Sequence, residues 1–278
     1  MKPSVFNQLK EALAIRLIII KTAIIYSFQE ETAYPAENWG NMLSTLIYIA
    51  TFRLFLNILY TNIDTLAGYT ENEMLFFLLV GQASFYLSWA IYNHNIRDIS
   101  SSVNTGNLDL VLTKPVPSAF YISFRKISLV HIFRDALAPL LFIIATISWE
   151  TLHLNLANIL IGIIICTLGI TVTYCVYFLS VLPSFWFGRS DETYRLVYLV
   201  EDFVQKHLPL EGASNSLKIL LGALIPLMIG SAFTTSVILG KSNALALLAW
   251  AAAVTILFLL IRKYAWGRAL RAYTSASS

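Results

Sequence analysis

Long uncharged stretches alternate with short charged connectors along this chain. Between Glu37 and Asp64 the only charged residue is Arg53, and between Glu73 and Arg97 there is none. From Ile127 to Trp149 only the neighbouring Arg134 and Asp135 interrupt, and from Thr151 to Gly188 nothing does. Ile219–Gly240 and Ser242–Ile261 are uncharged as well. A bilayer core takes about 20 helical residues and excludes charge at its centre. The pattern therefore predicts an all-α polytopic membrane protein with six transmembrane helices. The expected segments are 38–62, 73–93, 124–149 and 155–186, a fifth span somewhere within 187–242, and a sixth at 243–262, followed by a tail at 263–278.

The first residues are patterned differently. From Val5 to Phe28, Asn7, Lys10, Glu11 and Lys21 project to one side of a helix, and Phe6, Leu9, Leu13, Leu17 and Ile20 to another. That division predicts an amphipathic helix over 5–30 lying in the membrane interface. Leu17 falls close to the Lys10 edge and Arg16 flanks the apolar stripe, so a poor first span with Lys21 snorkelling is the competing arrangement. The stretch 187–242 also allows two arrangements. Its first half is charged and its second half is apolar but broken by Gly222, Pro226 and Gly230. Either the apolar half is the fifth span, or the charged half crosses and the broken half dips back as a re-entrant hairpin, which is tolerated where its backbone is buried in protein.

Composition agrees with the pattern. Hydrophobic residues make up 57% of 278 and charged residues 13%, about half the charged share of a soluble domain; the mean hydropathy is +0.68. Too little charge is available to clothe a soluble globule of this size. A net charge of +3 gives no reason to expect a nucleic-acid partner. Lys and Arg concentrate in the N-terminal segment, in the 94–126 connector and in the tail, and are missing from Thr61–Thr70 and Glu150–Leu156. By the positive-inside rule both termini are cytoplasmic. Trp39, Trp149 and Trp186 fall at span ends, where an aromatic belt is expected. Cys166 and Cys175 lie in one apolar run, nine residues apart on different helix faces, and read as free thiols.

Three features are candidates for function. Asn95–Thr105 can form a short helix with Gly106 at C′; Leu108, Leu110 and Leu112 follow in alternation, and Pro115 and Pro117 then stop regular structure. The stretch suits a docking device facing the cytoplasm or an ordinary loop, and spacing alone does not choose. Second, Arg53, Arg134 and Asp135 lie at membrane depth, where charges pair, touch substrate or snorkel; Asp135 is expected to pair with Arg53. Third, Gln82, Tyr86, Trp89 and Asn93 share one face of the second span, and Asn41, Thr45, Tyr48, Phe52 and Phe55 one face of the first. Both faces suit a transport pathway or helix packing. No histidine has a second metal ligand at the right spacing; His207 follows Glu201 and Asp202 on what reads as a solvated helix face. Gly240-Lys241-Ser242 supplies only the last three positions of a nucleotide-binding P-loop, with Thr235 where the first glycine belongs.

The order of these parts resembles the permease subunits of ABC-2-type ABC transporters. The resemblance rests on the N-terminal helix, on RDISSSVNTGNLDLVLTKPVPSAFYISFRK, on Ser184–Phe187 (SFWF), and on the late LPLEGASNSLKILLGALIPLMIGSAFTTSVILGK. A "G-x-L-D-x-x-L-x-x-P" pattern that follows the second span in that family falls here on Gly106, Leu108, Asp109, Leu112 and Pro115. The resemblance implies a transport subunit with no catalytic residues, bound metal or cofactor of its own. Its partners would be separate ABC ATPase subunits carrying ATP and Mg, a second permease copy or sister permease, and membrane lipid. It implies a location in the bacterial plasma (inner) membrane and export as the direction. Residues 94–117 become a coupling loop, with Ile96, Arg97, Asp98, Ser101, Gly106, Leu108 and Asp109 touching the ATPase. Arg53, Gln82, Tyr86, Trp89, Asp135 and Pro226 become pathway or interhelix residues. The resemblance also favours the re-entrant, extracytoplasmic hairpin before the last span.

Overall fold

A computed structural model describes residues 5–32, 35–128, 132 and 136–273 of the chain. Helices carry the fold; the β pairing among the described residues is an isolated bridge between Leu66 and Tyr69. The helices are α1 (Val5–Thr32), α2 (Pro35–Tyr60), α3 (Glu71–Ser88), α4 (His94–Asn104), α5 (Leu108–Leu112), α6 (Ser118–Phe124), α7 (Leu137–Thr146), α8 (Leu156–Val181), α9 (Asp191–His207) and α10 (Ala244–Ala272), with two bent arms, Asn215–Leu224 and Ile229–Ile238, before α10.

Local chemistry fixes where the apolar helices start. Thr70 and Glu73 form a reciprocal capping box at α3, the Glu73 carboxylate accepting the Thr70 N–H at 2.8 Å. Asn155 caps α8 by accepting the Ala157 N–H at 2.8 Å, and Asn243 caps α10 by accepting the Ala246 N–H at 3.0 Å. Each cap satisfies donors that the first turn leaves without an intrahelical partner. Asn72 ties the α3 start to the turn after α7, through Thr151 Oγ1 at 3.1 Å and the Ser148 N–H at 3.2 Å.

Among the described residues, four helices are long and apolar enough to cross a membrane: Met42–Tyr60, Glu71–Asn104, Leu156–Phe187 and Ala244–Ala272. The bent pair of arms brings the total to as many as five. Glu71–Asn104 is one path of 34 residues, because α3 runs through a π-helical turn, Trp89–Asn93, directly into α4. At 1.5 Å per residue it is about 51 Å long, well beyond a roughly 30 Å hydrocarbon core, so α4 extends past the boundary. The helix expected at Asn95–Thr105 is thus the rigid end of the second span rather than a separate piece. Among the described residues of the expected third span, α7 covers Leu137–Thr146. Arg134 and Asp135 lie outside the described residues.

α8 is the central helix, packing against α10, α9, α3, α4 and the second arm. The arms meet at 107°, with Pro226 buried in the bend. Leu227, Met228 and Ile229 are fully buried and the whole of Ile229–Ile238 is enclosed. That seat requires a glycine: a Cβ on Gly169 of α8 would lie 2.3 Å from the Gly230 backbone.

On α1 the imperfect separation expected at Leu17 and Arg16 is visible. Leu13, Leu17 and Ile18 share its exposed surface with Arg16 and Lys21, while the small Ala23 and Ser27 are buried. The side chains of Phe6, Asn7, Leu9, Lys10 and Glu11 lie outside what is described. α1 touches α6, where Arg16 stands 5.4 Å from the Phe120 ring centre.

Candidate functional site: the α4–α5 end and the polar interior

The π-helical turn shifts the hydrogen-bond register, and the Ala90 carbonyl accepts the Ser128 N–H at 2.9 Å. One turn on, the Asn95 amide grips the backbone of Lys126 from both sides, donating to its carbonyl at 2.6 Å and accepting its N–H at 3.0 Å. Asp98 approaches Arg125 at 3.6 Å, a half-exposed pair that adds at most about 1 kcal/mol. α4 ends at Asn104, Gly106 takes the left-handed C′ conformation (φ +76°), and the Asp109 N–H turns back to the Gly106 carbonyl at 3.1 Å to start α5. The expected positions divide accordingly. Ile96 and Leu108 are fully buried and cannot touch a partner; they hold α4 and α5 against the bundle. Arg97 and Ser101 are exposed, and Asp98, Gly106 and Asp109 are half-buried.

The leucines after Gly106 form a helical turn, so Leu108 and Val111 point inward and Leu110 points out, 65% exposed. A cleft of about 550 Å³ runs beside it between Asp98, Ser101, Lys114, Tyr121 and Arg125. Leu110 thus stands exposed beside a charged cleft, on a helix end pinned by backbone clamps. From the sequence Leu110 is expected only as one of three alternating leucines and Asn95 only as the first residue of the helix; the helical spacing of Leu108 and Val111 is what turns Leu110 outward.

The α3 face expected to serve a pathway or helix packing points into the bundle. Gln82 and Tyr86 are buried, Asn93 fully so, and Trp89 borders a cavity of about 390 Å³ shared with Arg97 and Arg195. Across from it, Tyr198 of α9 sits 6.1 Å from Phe85 and 6.0 Å from Trp89, edge-on to the latter, and the Tyr194 hydroxyl donates to Asn93 Oδ1 at 3.2 Å. Tyr48 and Phe52 of α2 stack at 6.4 Å and lie against the far end of α9, Lys206 over Tyr48 at 4.9 Å and His207 beside Phe52 at 5.4 Å. Asn41 lies outside the described side chains. α9 itself corrects the solvated-face expectation. Glu201 is completely buried, accepting from the Tyr177 hydroxyl and, at 2.8 Å, from the Gln205 amide. The signal was a stripe at Tyr194, Val197, Tyr198, Glu201, Val204 and Gln205, which puts Glu201 on the packed side at helical spacing.

Arg53 ion-pairs with Glu71 in the first turn of α3. Its long side chain carries the charge from inside α2 towards the helix boundary; the expected partner, Asp135, lies outside the described residues. At the same end, Glu211 accepts from the hydroxyls of Tyr69, Ser236 and Ser242. Burial and the Glu211 bond push the Tyr69 phenol well above its ordinary range. Lys241, from the P-loop look-alike, pairs with Glu73 at 2.9 Å and donates to the Gly68 carbonyl at 2.8 Å. These contacts tie the loop before α3 to the second arm.

The fold defines a helical membrane protein whose described residues offer no cluster of three or more metal-ligating side chains. The chain matches a family described as ABC-2 family transporter protein over residues 46–277, and it belongs to that family: it is a membrane permease component of an ABC transporter. No curated protein and no solved structure matches it.

Proposed function

We propose that this chain is the permease of an ATP-driven exporter, working as a dimer with itself or a sister permease and driven by separate ABC ATPase subunits. The observation that carries the reading is the α4–α5 end: a continuation of a transmembrane helix, clamped by Asn95 and Ser128, that presents Arg97, Ser101 and Leu110 outward. In this reading there are six spans, with α9 as the fifth and the 107° pair of arms as a re-entrant hairpin on the extracytoplasmic side. α1 lies in the interface, both termini and α4–α5 face the cytoplasm, and the membrane is the bacterial inner membrane. The exposed apolar stripe of α9 (Leu196, Leu199, Phe203) and that of α2 (Leu43, Ile47, Leu54, Ile58) supply the face for the second permease.

Co-expression with the candidate ATPase, followed by affinity purification and an ATP-dependent transport assay in vesicles, tests this. A stable complex is expected, with transport lost when Arg97 and Asp98 are both replaced by Ala. Purification without an ATPase, together with transport that survives the double substitution and the absence of ATP, overturns it.

A further inference from the structure

Between α1, α6, α8 and α10 lies a cavity of about 660 Å³, separate from the α4–α5 surface. Its walls are apolar, with Phe120, Phe124, Ile170 and Leu259 prominent, and two guanidinium groups, Arg16 and Arg262, stand on it. Arg262 lies 5.2 Å from the Tyr174 ring centre and 5.3 Å from that of Phe178, and its Nη1 donates to the Tyr174 hydroxyl. That hydroxyl in turn shares a hydrogen bond with Ser123 at 2.9 Å. Arg262 Nε is buried without a hydrogen-bond partner, and no acidic side chain is among the described residues lining the cavity. Two cations on one cavity repel each other, and a buried donor without an acceptor is destabilising. An anion bearing several oxygens answers both.

Depth decides what kind of anion. Tyr174 and Arg262 each lie 18 residues after the first residue of their helices, Leu156 and Ala244. At 1.5 Å per residue that is about 27 Å, close to the far edge of a roughly 30 Å hydrocarbon core. The guanidinium groups therefore sit at headgroup level. Running back from them towards the membrane centre, α8 exposes Thr167 and Ile163 and α10 exposes Ile256 and Leu260, a surface for acyl chains.

We infer that this cavity binds an anionic phospholipid, its phosphate between Arg16 and Arg262 and its chains along α8 and α10. A lipid there joins α1 to the bundle, since Arg16 belongs to α1 and Arg262 to α10. The inference needs the helix ends to be at the membrane boundary, and it is independent of any ATPase.

The full-length protein, purified in neutral detergent with whatever subunits accompany it, is titrated with palmitoyl-oleoyl phosphatidylglycerol, with the matching phosphatidylcholine, and with inorganic phosphate. Retained lipid is counted by native mass spectrometry. The expected result is preferential retention of phosphatidylglycerol and an affinity about tenfold lower in Arg16→Gln, the change expected from one charge-assisted hydrogen bond. Arg16 is exposed, so this variant leaves the fold intact. Thr167→Trp, which obstructs the chain groove and leaves both arginines, is expected to weaken the lipid as well. Equal retention of the two lipids, unchanged retention in Arg16→Gln, or competition by inorganic phosphate as effective as the lipid itself overturns the proposal.

Discussion

Replacing Gly169 with alanine should destabilise the protein, whereas the same change at Gly230, the residue facing it, should not. The two positions touch, yet the geometry is one-sided. A Cβ on Gly169 would come within 2.3 Å of Gly230 Cα and N and 2.9 Å of the Ile229 carbonyl carbon. A Cβ on Gly230 would meet Gly169 backbone atoms no nearer than 3.7 Å and Ser84 Cβ at 3.8 Å, ordinary contact distances. Carbon atoms attract best at about 3.5–4.0 Å, so Gly169→Ala forces the second arm away by more than 1 Å through backbone atoms that cannot rotate aside. Overpacking of that kind costs about 1–3 kcal/mol. Both positions are helical, so each alanine also gains about 1 kcal/mol of helix propensity. The gain is common to both variants and cancels in their difference, leaving a steric term of about 1–3 kcal/mol between them.

The measurement is a pair of denaturation titrations in mixed micelles, with transport recorded on the same preparations. If Gly169→Ala and Gly230→Ala unfold at the same denaturant concentration, the second arm does not rest on α8 as described. If Gly169→Ala is the less stable by the expected margin and also loses transport, the seat of the hairpin matters to function as well as to stability.

Leu110→Asp should abolish co-purification of the ATPase while leaving the thermal midpoint of the permease unchanged, because the side chain is 65% exposed. Asn95→Leu should lower stability by about 1–3 kcal/mol, since the Lys126 N–H and carbonyl lose their partner in a half-buried setting; unfolding of the purified permease reads this. Glu201→Gln should be tolerated and Glu201→Leu should cost about 1–3 kcal/mol in the same assay, because the glutamine oxygen can accept from Tyr177 while its amide donates to a turned-over Gln205, whose Oε1 has no partner, whereas the leucine offers neither. Lys241→Ala should change stability by no more than about 1 kcal/mol, as expected of a partly exposed ion pair; if the hairpin gates the outer side, leak of a small solute through proteoliposomes rises.

The sequence made the spans legible where charge is absent over more than twenty residues, because burying an unpaired charge in hydrocarbon is expensive and the gap is unmistakable. It could not show that α3 continues into α4. A π-helical turn of ordinary residues, Trp89–Asn93, carries no proline or glycine to announce itself, and the Ser128 N–H that satisfies Ala90 comes from another segment. Arg53 was legible as a charge at depth, but its partner depended on how far the side chain reaches, and Glu71 lies across a loop whose path the pattern does not fix. Glu201 was hidden by its neighbours. Asp202 and His207 make the segment look solvated, and only the heptad-like stripe from Tyr194 to Gln205 distinguishes a packed carboxyl from an exposed one. The leucines of α5 misled in a simpler way, since alternation in sequence placed them on one face and a helical turn placed Leu110 opposite Leu108.

How a push at α4–α5 could reach the far side follows from which contacts are dense. α3 and α4 form one path of about 51 Å with no break at which motion could be absorbed, and interiors packed at crystal-like density transmit displacement. Near its middle, Ser84 of α3 donates to the Gly230 carbonyl at 2.9 Å, and Gly230 is the point at which the second arm presses on Gly169 of α8. Tilting α3–α4 therefore pulls directly on the hairpin. On α2, by contrast, Ile49 and Leu56 are the buried ones among the described side chains, and Arg53–Glu71 fastens it to α3. An ATPase gripping Arg97, Ser101 and Leu110 would move α3, and α2 with it, and pull the hairpin at Gly230 against α8, whose contacts with α10 and with the second arm are the most extensive among the described helices. The division between a moving group and a fixed pair falls along the Ser84–Gly230–Gly169 line, so a disulfide engineered across that line should block transport while ATP hydrolysis continues.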